Sequence, residues 1–150
     1  IGVHLLTGGG QGVMAAVSRA FARTGGRRGM VLGILPCRED DPMRCKPGYP
    51  NEWVEIAIPT HLPLSGARGT EPMSRNHINV LASDVVIALP GGAGTASEVG
   101  LAVRYRKPVV AYVGAKEALA APLAGIPIAN AIDDVKAFVR SHVGARVRPE

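Results

Sequence analysis

One stretch of this chain gathers the residue types that hold an anion: Leu89-Pro90-Gly91-Gly92-Ala93-Gly94-Thr95-Ala96-Ser97-Glu98. Glycine lacks a Cβ, so the backbone there can come close to a ligand. The first N–H groups of a helix have no partner within it, and the helix dipole adds partial positive charge. A strand running through glycines into a helix is therefore an anion site, and phosphate is its usual occupant. Pro90, Gly91, Gly92, Ala93, Gly94 and Thr95 are the expected contacts, Thr95 also through its hydroxyl. Glu98 lies one turn further on and fits two roles. It is either a carboxylate facing the ligand or the second half of a capping box opened by Thr95. Spacing leaves both open; the neighbouring glycines tip the balance toward the ligand.

Gly8, Gly9, Gly10 and Gly12 form a second such turn. Its Gly10-x-Gly12-x-x-Ala15 spacing matches a dinucleotide pattern that is weak by itself. That pattern wants an acidic residue closing the next strand, to hold a ribose. Here the strand closes as Leu35-Pro36-Cys37-Arg38, with Glu39 beyond it, which disfavours a nicotinamide cofactor. No GxxxxGK[ST] is present, so a Walker-type NTPase is excluded on motif grounds. Met73-Ser74-Arg75-Asn76 opens the helix before the second glycine turn. Arg75 is expected to reach the ligand with its bidentate fork, with Met73 and Asn76 beside it. The bland alternative is an arginine on a solvated helix start. A cation is unfavourable at that end of a helix, which argues for a task.

Other polar residues read as structural. His61 and His77 fit packing or surface positions, and no His/Cys/Asp/Glu set has metal-site spacing. Ser65, Ser74 and Ser97 lack a nucleophile elbow, which argues against a hydrolase triad. Trp53 suits an anchor for the long loop around it.

The elements that must position these residues alternate. Strands are expected at Val3 to Leu6, Gly29 to Leu35, Trp53 to Ile58, Asp84 to Leu89 and Pro108 to Val113. Helices are expected at Val13 to Ala22, Met73 to Ala82, Thr95 to Arg106 and Ile132 to Val143. Residues 37 to 52 and Thr60 to Pro72 read as long, functional loops. Such alternation implies an α/β fold: a Rossmann-like, doubly wound parallel sheet with its ligand at the carboxyl ends of the strands. At 150 residues the chain suits one domain, 1–144, with a frayed tail at 145–150.

A net charge of +5 suits an anionic small molecule. With 4% aromatic residues and scattered arginines, a nucleic-acid surface is disfavoured. No apolar run reaches the ~20 residues of a membrane span, and no signal peptide is visible. Cys37 and Cys45 match neither a metal knuckle nor a redox motif and read as free thiols of a cytoplasmic protein.

The second turn, Pro90-Gly91-Gly92-Ala93-Gly94-Thr95 with Glu98, resembles the PGGxGTxxE signature of the LONELY GUY or "lysine decarboxylase-like" Rossmann superfamily. Leu6 to Met14, Gly33-Ile34-Leu35-Pro36 and Ser74 to Asn79 support the resemblance, which runs to about Val113. Within that superfamily the chain is more similar to the molybdenum cofactor carrier proteins and their bacterial relatives. The family fold begins with one more strand and helix, which this sequence lacks before its abrupt start at Ile1.

The resemblance implies a phosphorylated pterin or nucleotide as partner. The molybdenum cofactor would be cargo, and no cofactor would be held by protein ligands. It also implies a homodimer or homotetramer, with the small-residue run Ala96, Gly100, Ala102, Val103 permitting close helix packing. The LONELY GUY enzymes themselves are nucleoside 5′-monophosphate phosphoribohydrolases that use an arginine and the signature glutamate, matched here by Arg75 and Glu98. Those enzymes carry an Arg-Lys pair where this chain has Arg75-Asn76, a departure that sets binding without turnover ahead of catalysis. A nucleotide-sensing regulatory module is the third reading. Nothing in the residues supports decarboxylation.

Overall fold

The computed structural model describes residues 2–113 and 125–143; the tail expected to fray lies outside them. Its elements are β1 (Leu5–Thr7), α1 (Val13–Ala22), β2 (Val31–Leu35), β3 (Ile56–Pro59), a 3-10 turn (Gly66–Arg68), α2 (Asn76–Ala82), β4 (Val86–Ala88), α3 (Ala93–Arg104), β5 (Val109–Tyr112), β6 (Ile128–Ala129) and α4 (Ile132–Val143). Every strand pairing among the named strands is parallel, the arrangement that alternating strands and helices imply. The ladders fall into two three-stranded sets, β1-β2-β3 and β4-β5-β6.

The sheets earn their burial from continuous apolar runs. β2 reads Val-Leu-Gly-Ile-Leu and is almost wholly enclosed. Side chains alternate across β5: Val109 and Ala111 join a core with Val80, Val99, Leu101 and Ala102, while Val110 packs with Val135. One face of β5 is therefore covered by α2 and α3, and the other by α4. This is the doubly wound layering expected from sequence.

Three boundaries move for local reasons. The strand expected from Trp53 begins at Ile56, because Asn51 closes a turn: its Oδ1 accepts the Trp53 N–H (3.0 Å) and its carbonyl accepts the Val54 N–H (3.2 Å). The helix expected from Met73 begins at Asn76, because Met73 lies in a turn closed by the Ser74 N–H on the Glu71 carbonyl (3.0 Å) and tied to Leu64, whose N–H donates to the Met73 carbonyl (3.2 Å). The helix expected from Thr95 begins two residues earlier, at Ala93, packed against α2 and the 3-10 turn.

The turn before β2 is tied to β3 through Glu55. Arg27 makes a bidentate pair with it, at 2.6 and 2.9 Å, and the Val31 N–H donates to the same carboxylate at 2.8 Å. The Arg27 bonds first, and the Val31 amide second, hold the Glu55 carboxyl below the usual carboxylate range. A depressed carboxylate pKa contributes stability that is present at neutral pH and lost as pH falls through it. Glu55→Gln is expected to lower the melting temperature at pH 7, with the gap to the parent closing in acid. A gap that persists below the carboxylate range would refute this.

Candidate phosphate-binding site

Both glycine turns lie where a strand's carboxyl end runs into a helix: residues 8–12 between β1 and α1, and residues 89–92 between β4 and α3. Gly12 precedes α1 with φ 67°, and Gly9 has φ 72°, a region that glycine enters without strain. Asn51 holds the first turn from outside. Its N–H donates to the Gly9 carbonyl (2.7 Å) and its Nδ2 to the Gly10 carbonyl (2.8 Å).

At the second turn, Gly92 caps α3 and no side chain caps the helix. The first helical bond runs from the Ala96 N–H to the Gly92 carbonyl (3.2 Å), leaving the amides of Ala93, Gly94 and Thr95 ahead of it. Pro90, Gly91, Gly92 and Ala93 are exposed. The Thr95 hydroxyl folds back so closely that a Cβ on Gly91 would overlap it. Ser97 fixes the start of the helix, donating to the carbonyls of Gly66 (2.8 Å) and Ala93 (2.9 Å).

Glu98 is not a cap. It accepts a hydrogen bond from Asn79 Nδ2 (3.0 Å) and lies 3.6 Å from Arg75 Nη1. The capping box opened by Thr95 does not form, because α3 already begins at Ala93. Arg75 lies just before α2 and is drawn inward, only 3% exposed. Its Nη1 donates to Asn76 Oδ1 at 3.0 Å. Its guanidinium presses on the first turn, so that a Cβ on Gly8 would overlap it. Arg75 Nε and Asn79 Oδ1 are buried without a partner. Buried polar atoms of this kind are uncommon and call for a ligand, water or ion.

Arg75 therefore brings Asn76, Glu98 and Gly8 together around its guanidinium. Asn76 is itself buried against Gly69, whose Cβ would meet its Nδ2, so it positions Arg75. Met73 lies two residues before Arg75 with an exposed side chain. Sequence reasoning gave no role to Asn79, Asn51 or Ser97. Asn79 had a signal, since i and i+4 share a helix face and Arg75 is four residues earlier. Asn51 had none beyond its place in a long loop. His77 is a packing residue: the Glu71 carbonyl takes the proton of Nε2 (3.0 Å), so Nδ1 accepts from the Tyr105 hydroxyl (2.6 Å).

A parallel α/β chain whose two glycine turns lie where strands run into helices belongs to the Rossmann-like fold class. More particularly, the SLOG cluster4 family model matches residues 1–129, and the chain belongs to that family. Two solved structures share the fold. The molybdenum cofactor binding protein of Rippkaea orientalis is 32% identical with a TM-score of 0.69, and the molybdenum cofactor carrier protein of Chlamydomonas reinhardtii is 29% identical with a TM-score of 0.66. In both comparisons 93% of this chain and 77% of the other are covered. An uncharacterized protein of Archaeoglobus fulgidus is 33% identical over 106 residues, 71% of this chain. The match spans 58% of that relative's length.

Proposed function

We propose that this protein binds the molybdenum cofactor, a phosphorylated pterin, and carries it without changing it. The observation that supports this most directly is the likeness, at 32% identity, to a molybdenum cofactor binding protein. The site chemistry agrees with it. A phosphate would accept hydrogen bonds from the amides of Ala93, Gly94 and Thr95, and from the Thr95 hydroxyl. The first turn, Gly8 to Gly12, with Met73, would line the remainder of the ligand, while Asn76 would hold Arg75 in place. Arg75 would supply positive charge from behind Gly8, where low dielectric strengthens its effect.

One observation favours a second reading. Glu98, 33% exposed in its side chain, stands 3.6 Å from a buried arginine, a pairing that could steady an oxocarbenium-like centre in phosphoribohydrolase chemistry. Incubation with AMP separates the two. A carrier releases no adenine and co-purifies with molybdenum or pterin fluorescence. Adenine release that disappears in Glu98→Ala would replace the carrier with the enzyme.

A homodimer or homotetramer is part of the same proposal. Val103, Leu81 and Ile78 are exposed apolar residues on α3 and α2, and Gly100 has open space where a Cβ would stand. Ala102, by contrast, is used inside the core. A one-chain mass by light scattering would exclude the assembly. The cytoplasm is the compartment that goes with this proposal. Among the described residues, no helix is long and apolar enough to cross a membrane.

A further inference from the structure

Cys37 and Cys45 fit no sequence motif, but the fold sets them opposite each other in an antiparallel bridge. The Arg38 N–H donates to the Arg44 carbonyl (2.8 Å), and the Lys46 N–H donates to the Pro36 carbonyl (3.1 Å). These two bonds flank the cysteines, which makes them a non-hydrogen-bonded pair. In such pairs the Cα atoms lie about 4.5 Å apart and the side chains share one face. That separation falls within the ~4.4–6.8 Å range of disulfide-linked cysteines. Both cysteines are free thiols here.

The two thiols differ in access. Cys37 is 1% exposed, and its N–H is held by the Leu62 carbonyl (3.3 Å). Burial pushes its thiol pKa up. Cys45 is half-buried and meets solvent more readily. The hairpin between them is also preformed: Arg38 pairs with Asp40, Arg44 with Asp41 and Lys46 with Glu39.

We propose that Cys37 and Cys45 form a reversible dithiol–disulfide site whose oxidant is a small-molecule disulfide such as oxidised glutathione. The Cys45 thiolate attacks one glutathione sulfur, forming a mixed disulfide and releasing a glutathione thiolate. Cys37 then gives up its proton, and its thiolate attacks the Cys45 sulfur and releases the second glutathione. Two protein thiols and one oxidised glutathione thus become one protein disulfide and two reduced glutathiones. The protons lost by the cysteines end on the two released thiolates.

The bond would close the stem of the segment 36–51, which leads directly to the first glycine turn. Gln11 Nε2 donates to the Gly48 carbonyl (3.2 Å), and Asn51 makes its two bonds to Gly9 and Gly10. A disulfide there ties the site's outer clamp to its stem. The proposal does not depend on which ligand the site holds.

The full chain is incubated in glutathione buffers of increasing oxidised fraction, quenched in acid and alkylated. The expected result is joint loss of both thiols with a single midpoint. A peptide linking Cys37 to Cys45 appears, the one-chain mass persists on a non-reducing gel, and dithiothreitol reverses the change. Cys37→Ser and Cys45→Ser each keep one cysteine and give no linked peptide. Thiols that stay fully alkylatable in oxidised glutathione, a glutathione adduct that stops at Cys45, or chain-to-chain dimers would each overturn the proposal.

Discussion

Arg75→Met is expected to leave the fold intact and to weaken binding of the phosphorylated pterin by roughly 10- to 100-fold, the equivalent of about 1.5–3 kcal/mol for hydrogen bonds to a charged group. The substitution keeps the length of the side chain and fills the same buried space. Removing one partner of an ion pair is costly when the remaining charge is left buried and alone, but the Glu98 side chain is 33% exposed. Glu98 keeps its bond from Asn79, so it is not stranded. What disappears is the positive charge pressed against Gly8. Arg75→Lys should fall between the two, because a lysine carries the charge without the planar fork. Titration by pterin fluorescence reads the affinity, and circular dichroism checks the fold. A folded Arg75→Met protein with unchanged affinity would remove Arg75 from the site.

Gly8→Ala is expected to cost about 1–3 kcal/mol of stability, the usual penalty for forcing atoms into a packed interior. The added methyl would run into the buried Arg75 guanidinium, which would have to shift and strain its contacts with Asn76 and Glu98. The informative comparison is the same change in an Arg75→Ala background. There the obstacle is gone, so Gly8→Ala should be much cheaper, with a coupling of about 0.5–3 kcal/mol between the two sites. Urea unfolding of the four proteins gives the cycle. Simple additivity would mean that Gly8 is glycine for some reason other than Arg75.

Much of this arrangement is legible in the sequence, because the relevant signals are local. The continuous apolar runs of β2 and β5 announce strands covered on both faces, and the glycines after β1 and β4 announce turns into helices. The unfavourable placement of a cation at a helix start singles out Arg75, and the structure supplies the reason by burying it behind Gly8. Glu98 could not be assigned from spacing. Whether it caps α3 or faces inward depends on where Asn79 lies, which is a matter of how α2 packs on α3. The Asn51 clamp was invisible for the same reason: it joins residues about forty positions apart through backbone carbonyls, which leave no trace in side-chain type. The bridge between Cys37 and Cys45 is likewise set by hydrogen bonds of their neighbours rather than by the cysteines themselves. The pairing of the strands into two separate ladders also escaped local patterns, since each short strand reads the same at an edge as inside a sheet.

The most direct measurement is the backbone amide spectrum of the 15N-labelled protein during titration with the phosphorylated pterin. Saturable shifts are expected at Ala93, Gly94 and Thr95, accompanied by smaller ones at Gly8 to Gly12. Shifts gathered elsewhere on the surface, with the start of α3 unmoved at saturation, would contradict a phosphate held by those amides.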